Sequence, residues 1–359
     1  MTSIITDTYK VHFNDVAYSE LNSFINNNNF SKVFILVDSN THEYCLSKFM
    51  SHLTVENDIE VIEIEAGEHY KTIDTCVGVW NVLSELGADR KSLMLNLGGG
   101  VVTDLGGFVA CTFKRGIEYI NIPTSLLAMV DASVGGKTGV DLGALKNQVG
   151  VISSGEMVLV DTSFLETLPQ EHLRSGLAEM LKHGLIRDRQ YFESLSNLSN
   201  LSLEDLDGLI YDSIVIKKDI VSEDPTELGV RKHLNFGHTL GHAIESYFLS
   251  NTEKSELLHG EAIAIGMILE CYISSRLLNL SIADLENITR VINSISTAVN
   301  INSTEYEEII ELLKYDKKNS HGKINFVLLE QIGQPKTDCE VSNDLIIESF
   351  NYYKNNTPN

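Results

Sequence analysis

The order of apolar runs along the chain constrains its fold more than any other feature of the sequence. In the first half, short runs rich in β-branched residues alternate with a stretch of helical periodicity. The strand candidates are residues 32–38, 61–65, 93–97 and 119–123, and the helix candidate is residues 72–86. Strands that alternate with helices predict a mostly parallel sheet with helices packed on it.

The second half of the chain has a different pattern, because helical periodicity dominates from Pro169 onward. The helix candidates are residues 171–185, 203–222, 238–249, 260–278, 282–294 and 305–314. Strand-like sequence returns only at residues 323–329, which we interpret as a hairpin arm. We therefore predict two domains, a Rossmann-like α/β domain over residues 1–168 and an all-α domain over residues 169–359.

Composition excludes several classes of protein. With 43% hydrophobic residues the chain can build two cores, and no apolar run approaches the length of a membrane span. Its net charge of −23 disfavours nucleic acid as a partner. The N-terminus does not have the pattern of a signal peptide. The five cysteines are scattered without a CxxC pair, which indicates reduced thiols in a cytoplasmic protein.

A glycine-rich turn at residues 97–104 follows the strand candidate at residues 93–97 and opens a helix. Glycines at such a turn let the backbone approach a pyrophosphate, and the helix N-terminus offers free N–H groups. The turn does not match the GxGxxG fingerprint of ordinary Rossmann domains. Spacing alone therefore leaves two interpretations open, a dinucleotide site and a tight turn without a ligand.

A second glycine cluster spans residues 131–139 and ends like a phosphate-binding loop. The GxxxxGK[ST] pattern fails, because Asp131 stands where the first glycine belongs. This disfavours a nucleoside triphosphatase. Lys137 beside paired glycines still suits the capture of a phosphate group.

Histidines and a carboxylate form a candidate metal site. His238 and His242 are four residues apart and share a helix face, and His259 follows in the next helix candidate. Upstream, Glu179 shares a face with Lys182. Two histidines and one carboxylate are a common catalytic zinc set, although eleven histidines will also produce an HxxxH spacing by chance. Spacing alone favours His238 and His242 as ligands.

Basic residues cluster near the glycines and the histidines of this acidic chain: Arg115, Lys137, Lys146, Lys182, Lys217 and Arg231. One interpretation is ordinary solvated surface charge. The other is an anionic ligand, because cations beside a metal are unfavourable unless an anion bridges them. A substrate that carries both phosphate and carboxylate would satisfy them.

Taken together, these segments resemble the 3-dehydroquinate synthase family of sugar-phosphate cyclases. The resemblance spans nearly the whole chain in order, through residues 67–71, 98–104, 114–116, 123–127, 130–141, 146–147, 179–182, 231–242, 259–261 and 316–318. Departures are mild: Ser125 replaces a threonine but keeps a hydroxyl, and Met129 and Ala132 stand where Gln and Ser are frequent.

The resemblance implies an NAD-binding first domain and a metal-binding second domain. It implies that NAD contacts Asp38, Glu68, Lys71, Gly99, Gly100, Val101, Asp104, Thr124, Ser125, Leu127, Lys137, Lys146, Phe164 and Thr167. It also implies that Glu179, His238 and His259 bind zinc, with cobalt as an alternative. His242 then becomes a residue for substrate binding and proton transfer.

The resemblance further implies a small anionic sugar-phosphate substrate, converted to 3-dehydroquinate. Its contacts would be Asp131, Lys137, Asn147, Lys182, Lys217, Arg231, Asn235, His242 and Lys317, with the adjacent Lys318 as an alternative to Lys317. Arg115 is expected to reach a neighbouring subunit's site, which implies a homodimer.

Three alternatives remain. Another sugar-phosphate cyclase, such as a 2-deoxy-scyllo-inosose or valiolone-type synthase, would keep the same fold and cofactors. A glycerol dehydrogenase-type enzyme would release NADH and would not need so many cations. A non-catalytic binding protein is disfavoured by the intact candidate metal set.

Overall fold

The computed structural model describes residues 1–143, 145–196, 203–315 and 324–357. The chain divides into two compact units, Met1–Pro169 and Gln170–Asn359, which we call the α/β unit and the helical unit. Lys317 and Lys318, one of which is an expected substrate residue, lie outside the described residues.

The α/β unit is built on a seven-stranded sheet in the order β1-β2-β9-β6-β5-β3-β4. Only β1 pairs antiparallel, with β2, so the prediction of a mostly parallel sheet is confirmed. The sheet strands are β1 (Ile4–Ile5), β2 (Lys10–Phe13), β3 (Val33–Asp38), β4 (Ile59–Ile64), β5 (Leu93–Gly98), β6 (Glu118–Pro123) and β9 (Met157–Val160). Near-continuous apolar runs such as residues 33–37 are buried on both faces, as parallel strands require.

Helices connect these strands: α1 (Asn14–Asn27), α2 (Ser39–Thr41), α3 (Ser47–Ser51), α4 (Ile73–Glu85) and α5 (Gly100–Thr112). Helix α5 packs directly on β5, because a Cβ atom at Gly106 would lie only 2.1 Å from Asn96 Oδ1. This close contact fixes where α5 begins, and therefore where the glycine-rich turn lies.

An antiparallel hairpin of β7 (Lys137–Leu142) and β8 (Leu145–Ile152) completes the unit and was not predicted. The second glycine cluster leads into this hairpin. Gly135 and Gly136 have φ values of 103° and 69°, which only glycine adopts readily. A phosphate-binding loop of the P-loop type instead joins a strand to a helix, so the structure agrees with the failed motif.

The helical unit contains α6 (Gln170–Arg187), α7 (Arg189–Leu195), α8 (Leu203–Glu223), α9 (His238–Ser250), α10 (His259–Leu277), α11 (Ile282–Ile295), α12 (Tyr306–Leu312) and α13 (Asn343–Asn356). Helices α7 and α13 were not predicted. The strand-like sequence forms one arm of a hairpin, β10 (Phe326–Gln331) and β11 (Gln334–Cys339). The unit is therefore mainly helical, with one hairpin where the sequence indicated a hairpin arm.

Helices α9 and α10 approach each other backbone to backbone. A Cβ atom at Gly266 would lie 2.0 Å from Gly237 O, and one at Gly241 would lie 3.1 Å from Ala262 O. These glycines bring the first residues of both helices, His238 and His259, into one region of the unit. In the part of the chain that the structure describes, we find no helix with the length and hydropathy of a membrane span.

Candidate functional site

The expected NAD-binding residues of the α/β unit gather at one edge of its sheet. Strands β9, β6, β5, β3 and β4 are parallel neighbours, so their carboxyl ends share that edge. The expected residues that follow them are Asp38 at the end of β3, Glu68 and Lys71 after β4, Gly99, Gly100, Val101 and Asp104 after β5, Thr124, Ser125 and Leu127 after β6, and Phe164 and Thr167 after β9. Open α/β sheets bind ligands at this edge.

The glycine-rich turn has both a packing role and room for a ligand. At Gly98 a Cβ atom would lie 2.5 Å from Val102 Cβ, so packing alone requires this glycine. At Gly99 and Gly100 the nearest atoms would be 3.4 and 3.5 Å away. Gly99 is the N-cap of α5, with no side-chain hydrogen bond at the cap. Packing therefore does not explain the second and third glycines, and an approaching phosphate would.

Asp38 has a structural role within the unit. Its Oδ1 accepts a hydrogen bond from Thr41 N at 2.7 Å, while Asp38 N donates to Thr41 Oγ1 at 2.9 Å. This capping box holds the carboxylate rigidly at the end of β3.

At the carboxyl edge of the sheet, two buried lysines form ion pairs with nearby carboxylates. Lys71 Nζ donates to Asp104 Oδ2 at 2.6 Å and to Asn147 Oδ1 at 2.8 Å. Burial alone would lower the pKa of Lys71, but the nearby carboxylates of Asp104 and Glu68 raise it above its ordinary value. Lysine 71 is therefore a buried, permanently charged group.

Lys146 forms a second pair, with Asp141 Oδ2 at 2.9 Å and with Glu68. Asp141 also accepts a hydrogen bond from Asn147 N at 2.6 Å through its other oxygen. Sequence reasoning missed Asp141, although it stands at the end of a segment that carries the family resemblance. It fixes the backbone of Asn147, whose φ is 50°.

Three expected substrate residues of the α/β unit lie in different elements. Asp131 is in the π-helical turn Ala128–Ala132 and Lys137 begins β7. Arg115 follows the carboxyl end of α5, at the opposite end of that helix from Gly100. The 13 residues of α5 span about 20 Å at 1.5 Å per residue. Arg115 is therefore remote from the glycine-rich turn of its own chain.

A carboxylate and two imidazoles converge in the helical unit. Glu179 lies on α6 with no exposed surface. Its Oε1 lies 3.6 Å from Nε2 of His238 and 3.5 Å from Nε2 of His259. The three side chains come from three helices, and each histidine is the first residue of its helix.

Outer contacts orient both imidazoles. Nδ1 of His238 lies 3.1 Å from Phe236 O, and a carbonyl can only accept, so Nδ1 donates and Nε2 presents its lone pair. Nδ1 of His259 lies 3.1 Å from Glu245 Oε2. A metal-ligating histidine typically donates its second N–H to a carbonyl or carboxylate in this way. The donor set therefore fits a divalent zinc-type ion.

The same carboxylates act on the protonation of His259. Burial alone would lower its pKa, but Glu245 and Glu179 together raise the pKa to about 10. Without a metal, this imidazole is protonated at neutral pH and the positive charge takes the place of the ion.

His242 lies beside this set, one helical turn after His238. Within the described residues, candidate ligand atoms of His238, His242 and His259 lie within 4.8 Å of one another. The ring centroids of His242 and His259 are 5.7 Å apart. The geometry thus allows the ligand role that spacing suggested and the substrate role that the family resemblance implies.

Three of the expected substrate cations are buried within the helical unit. Lys182 is 1% exposed and pairs with Glu179, while Arg231 is 2% exposed and Lys217 is also buried. Arg231 Nη1 donates to Pro225 O at 2.8 Å, and Asn235 Nδ2 donates to Glu227 Oε1 at 2.8 Å. The interpretation of these cations as solvated surface charge is therefore wrong for all three.

Asp224 organises the loop before Arg231 and was missed by sequence reasoning. Its carboxylate accepts hydrogen bonds from Leu228 N at 3.1 Å, Gly229 N at 2.6 Å and Arg231 N at 3.1 Å. These bonds outweigh partial desolvation and lower the pKa of Asp224 below its ordinary value. An aspartate just after a helix and before a glycine was the available signal.

Solved structures identify the class of protein to which this architecture belongs. The chain is similar to 2-epi-5-epi-valiolone synthase from Streptomyces hygroscopicus subsp. jinggangensis 5008, solved with NAD+ and Zn2+ bound, at 25% identity and a TM-score of 0.85 over 99% of each chain. It is also similar to 2-deoxy-scyllo-inosose synthase complexed with carbaglucose-6-phosphate, NAD+ and Co2+, at 26% identity and a TM-score of 0.82 over 97% of this chain and 98% of that one. The fold is that of the sugar-phosphate cyclases.

Sequence comparison narrows the class. Family models described as 3-dehydroquinate synthase N-terminal and C-terminal match residues 61–175 and 176–319. The 3-dehydroquinate synthase of Parabacteroides distasonis is 41% identical over 338 residues, which cover 94% of this chain and 95% of that protein. The chain belongs to the 3-dehydroquinate synthase family.

Proposed function

We propose that the protein is a 3-dehydroquinate synthase, a carbon–oxygen lyase of the shikimate pathway to aromatic amino acids. It converts 3-deoxy-D-arabino-heptulosonate 7-phosphate to 3-dehydroquinate and phosphate. The substrate is oxidised at C5, loses phosphate, is reduced again at C5, opens its ring and closes by an intramolecular aldol reaction. When bound, NAD would supply a hydride acceptor and donor for C5, and a divalent zinc or cobalt ion would supply a Lewis acid for the C5 oxygen.

The observation that carries this proposal is the coexistence, in the helical unit, of a carboxylate–imidazole set with deeply buried cations. Glu179, His238 and His259 would hold the metal. Lys182 and Arg231 are almost fully buried in a chain whose net charge is −23. Lys182 already pairs with Glu179, and buried cations beside a candidate metal site suit a ligand that carries phosphate and carboxylate groups.

The residues of the helical unit would then bind different groups of the substrate. Arg231, with its planar guanidinium, suits the phosphate group, and Lys182 and Lys217 suit the carboxylate and hydroxyl groups. Asn235 would donate an amide hydrogen bond to the sugar. His242, one turn from His238 on the same helix, would hold or move a proton at a substrate hydroxyl.

In the α/β unit, the carboxyl edge of the sheet would bind NAD. The first turn of α5 offers backbone N–H groups to the pyrophosphate, and Asp38 stands rigidly at the end of β3 to meet a ribose hydroxyl. Lys71 forms an ion pair with Asp104, which neutralises one carboxylate near the first turn of α5.

Replacement of a metal ligand tests the metal part of the proposal. Glu179→Ala or His259→Ala should abolish zinc binding and activity while circular dichroism keeps the wild-type helix signal. His172→Ala is the matched control, because His172 is exposed on the same helix as Glu179. Full activity in metal-free wild-type protein would contradict the proposal.

The subunit arrangement forms a further part of the proposal. The remote position of Arg115 supports a homodimer in which this arginine completes a neighbouring subunit's site. Arg115→Ala should be inactive alone, and mixed dimers with His242→Ala should recover part of the activity. Inactivity of confirmed mixed dimers would contradict site sharing. The proposal places the protein in the cytoplasm, where its five free thiols stay reduced.

A substrate panel separates the alternatives. Phosphate release only from the heptulosonate 7-phosphate supports the proposal, whereas release only from a hexose 6-phosphate supports a 2-deoxy-scyllo-inosose synthase. Net NADH formation with glycerol, without phosphate release from either sugar, supports a polyol dehydrogenase.

A further inference from the structure

The first turn of α9 carries His238 but has no capping side chain of its own. The first four N–H groups of a helix lack partners within it, and a serine or aspartate at the N-cap usually accepts from them. Here the N-cap is Gly237, in the left-handed region with φ 78°. An acceptor for these N–H groups has to come from elsewhere.

Packing explains why the N-cap is glycine. A Cβ atom at Gly237 would lie 2.6 Å from Met267 Cγ and 3.2 Å from Ile263 O. Both of those residues belong to α10, so the start of α9 is pressed against that helix. A side chain at position 237 is excluded by the same contact that brings the two helices together.

Glu270, on α10, supplies the missing acceptor. Its Oε2 accepts a hydrogen bond from Gly237 N at 2.6 Å, and its Oε1 accepts one from Leu240 N at 3.2 Å. The side chain has no exposed surface and lies 33 residues from Gly237 in sequence. An ionised carboxylate at a helix N-terminus makes charge-assisted bonds and meets the positive end of the helix dipole.

We propose that Glu270 is a positioning residue for the metal site. It binds the N–H groups on either side of His238 in the first turn of α9, and it stands on the helix whose first residue is His259. The Glu270 carboxylate thus fixes the rotation of α9 about its axis and its position along α10. These two in turn fix the direction in which His238 Nε2 faces Glu179. This inference rests on the proposed metal-binding function.

If Glu270 only stabilised the packing of α10, its replacement would lower stability without changing metal affinity. A control variant on the same helix separates that role from a role in orienting His238. Ser274 is fully buried one turn after Glu270, and its Oγ accepts a hydrogen bond from Leu329 N at 2.9 Å on β10. Ser274→Ala removes this bond and also the 2.6 Å hydrogen bond that Ser274 Oγ donates to the backbone carbonyl Glu270 O, but it leaves the Glu270 carboxylate and its two N–H donors in place. Glu270→Gln keeps the shape of the side chain but turns an amide N–H2 group towards backbone donors.

The experiment measures the zinc dissociation constant, by chelator competition, and the melting temperature of each metal-free protein. We expect both variants to melt below the wild type, but only Glu270→Gln to bind zinc about 10–100-fold more weakly, the range for residues that orient a ligand. We also expect the visible absorption of the cobalt-loaded Glu270→Gln protein to differ from that of the wild type.

Equal zinc affinity and equal cobalt spectra in Glu270→Gln and Ser274→Ala would overturn the inference. If Glu270→Gln does not fold, Glu270→Asp can replace it, because it keeps the charge but has a shorter side chain. A zinc affinity of Glu270→Asp equal to that of the wild type would also overturn the inference. Wild-type protein that binds no zinc would instead refute the proposed metal function, so the two failures are distinguishable.

Discussion

Nδ1 of His259 lies 3.1 Å from Oε2 of Glu245, fourteen residues earlier in the chain. The other ring nitrogen of His259 faces Glu179. The imidazole is therefore held between two carboxylates, of which one would share the metal and the other fixes the ring. Glu245 is buried, and it is the residue most directly responsible for the orientation of His259.

Replacement of Glu245 should weaken metal binding without removing a ligand. Glu245→Gln keeps an acceptor oxygen but loses the charge that stabilises the donated N–H, so we expect zinc affinity to fall about 10–100-fold. Chelator competition measures it. Glu253→Gln makes the same charge change at an exposed position and should bind zinc as the wild type does. Equal affinity in both variants would contradict this role.

Metal binding should release a proton from His259. Its pKa of about 10 means that the metal-free protein holds this imidazole protonated at pH 7.5, and a metal displaces the proton. Calorimetry of zinc binding in buffers of different ionisation enthalpy counts the released protons. Glu245→Gln should release fewer, because the variant loses the charge that raises the pKa. Zinc binding without proton release would contradict the prediction that His259 is protonated in the metal-free protein.

The same pKa predicts how the metal-free protein responds to pH. A folded-state pKa above the ordinary 6.5 gives a stabilisation that is fully present below pH 6.5 and is lost as the pH rises through about 10. The melting temperature of metal-free protein should therefore fall between pH 7 and pH 10. Zinc-loaded protein, in which His259 is already neutral, should lose less over that interval.

Lys71 should contribute far more to the free energy of unfolding than a partly exposed lysine does. Lys71→Met leaves the partly buried carboxylate of Asp104 without its cation, and the loss of unfolding free energy should approach the roughly 3–5 kcal/mol that breaking a fully buried pair costs. Lys32→Met is the control, because its 3.5 Å pair with Glu60 is partly exposed and such pairs contribute less than about 1 kcal/mol. Urea unfolding of both variants measures the difference, and equal losses would show that the buried pair is not structural.

Asp224 should act on substrate binding through Arg231. Asp224→Asn cannot accept all three backbone hydrogen bonds, so the loop should loosen and KM should rise more than kcat falls. Asp219→Asn, an exposed change one turn earlier on α8, is the control. Because the pKa of Asp224 is lowered, its contribution is lost only as the pH falls below the ordinary range near 4. A selective loss of kcat would contradict a positioning role.

The sequence predicted the elements better than their contacts. Periodicity located β3, β5 and most helices of the helical unit, because a buried strand and an amphipathic helix each have a short-range repeat. The β7–β8 hairpin was missed, because its glycines were interpreted only as a candidate phosphate site. Periodicity alone also could not give the order of strands in the sheet.

The residues of the metal site were also predicted better than the contacts between them. The family resemblance supplied Glu179, His238 and His259 as expected ligands, whereas spacing alone favoured His238 and His242. Glu245 and Glu270 could not be found in this way, because a carboxylate on a helical face does not indicate which backbone or ring nitrogen will meet it. Those partners depend on how α9 and α10 pack, and glycines at 237, 241 and 266 decide that packing.

The most direct test of the proposed function is the stoichiometry of one reaction. Purified zinc-loaded protein is given 3-deoxy-D-arabino-heptulosonate 7-phosphate with NAD at a small fraction of the substrate concentration, while phosphate, 3-dehydroquinate and NADH absorbance are followed. We predict equal amounts of phosphate and 3-dehydroquinate, complete conversion of substrate, and no accumulation of NADH. Phosphate release that stops when it equals the NAD supplied, or NADH that accumulates with turnover, would contradict the account.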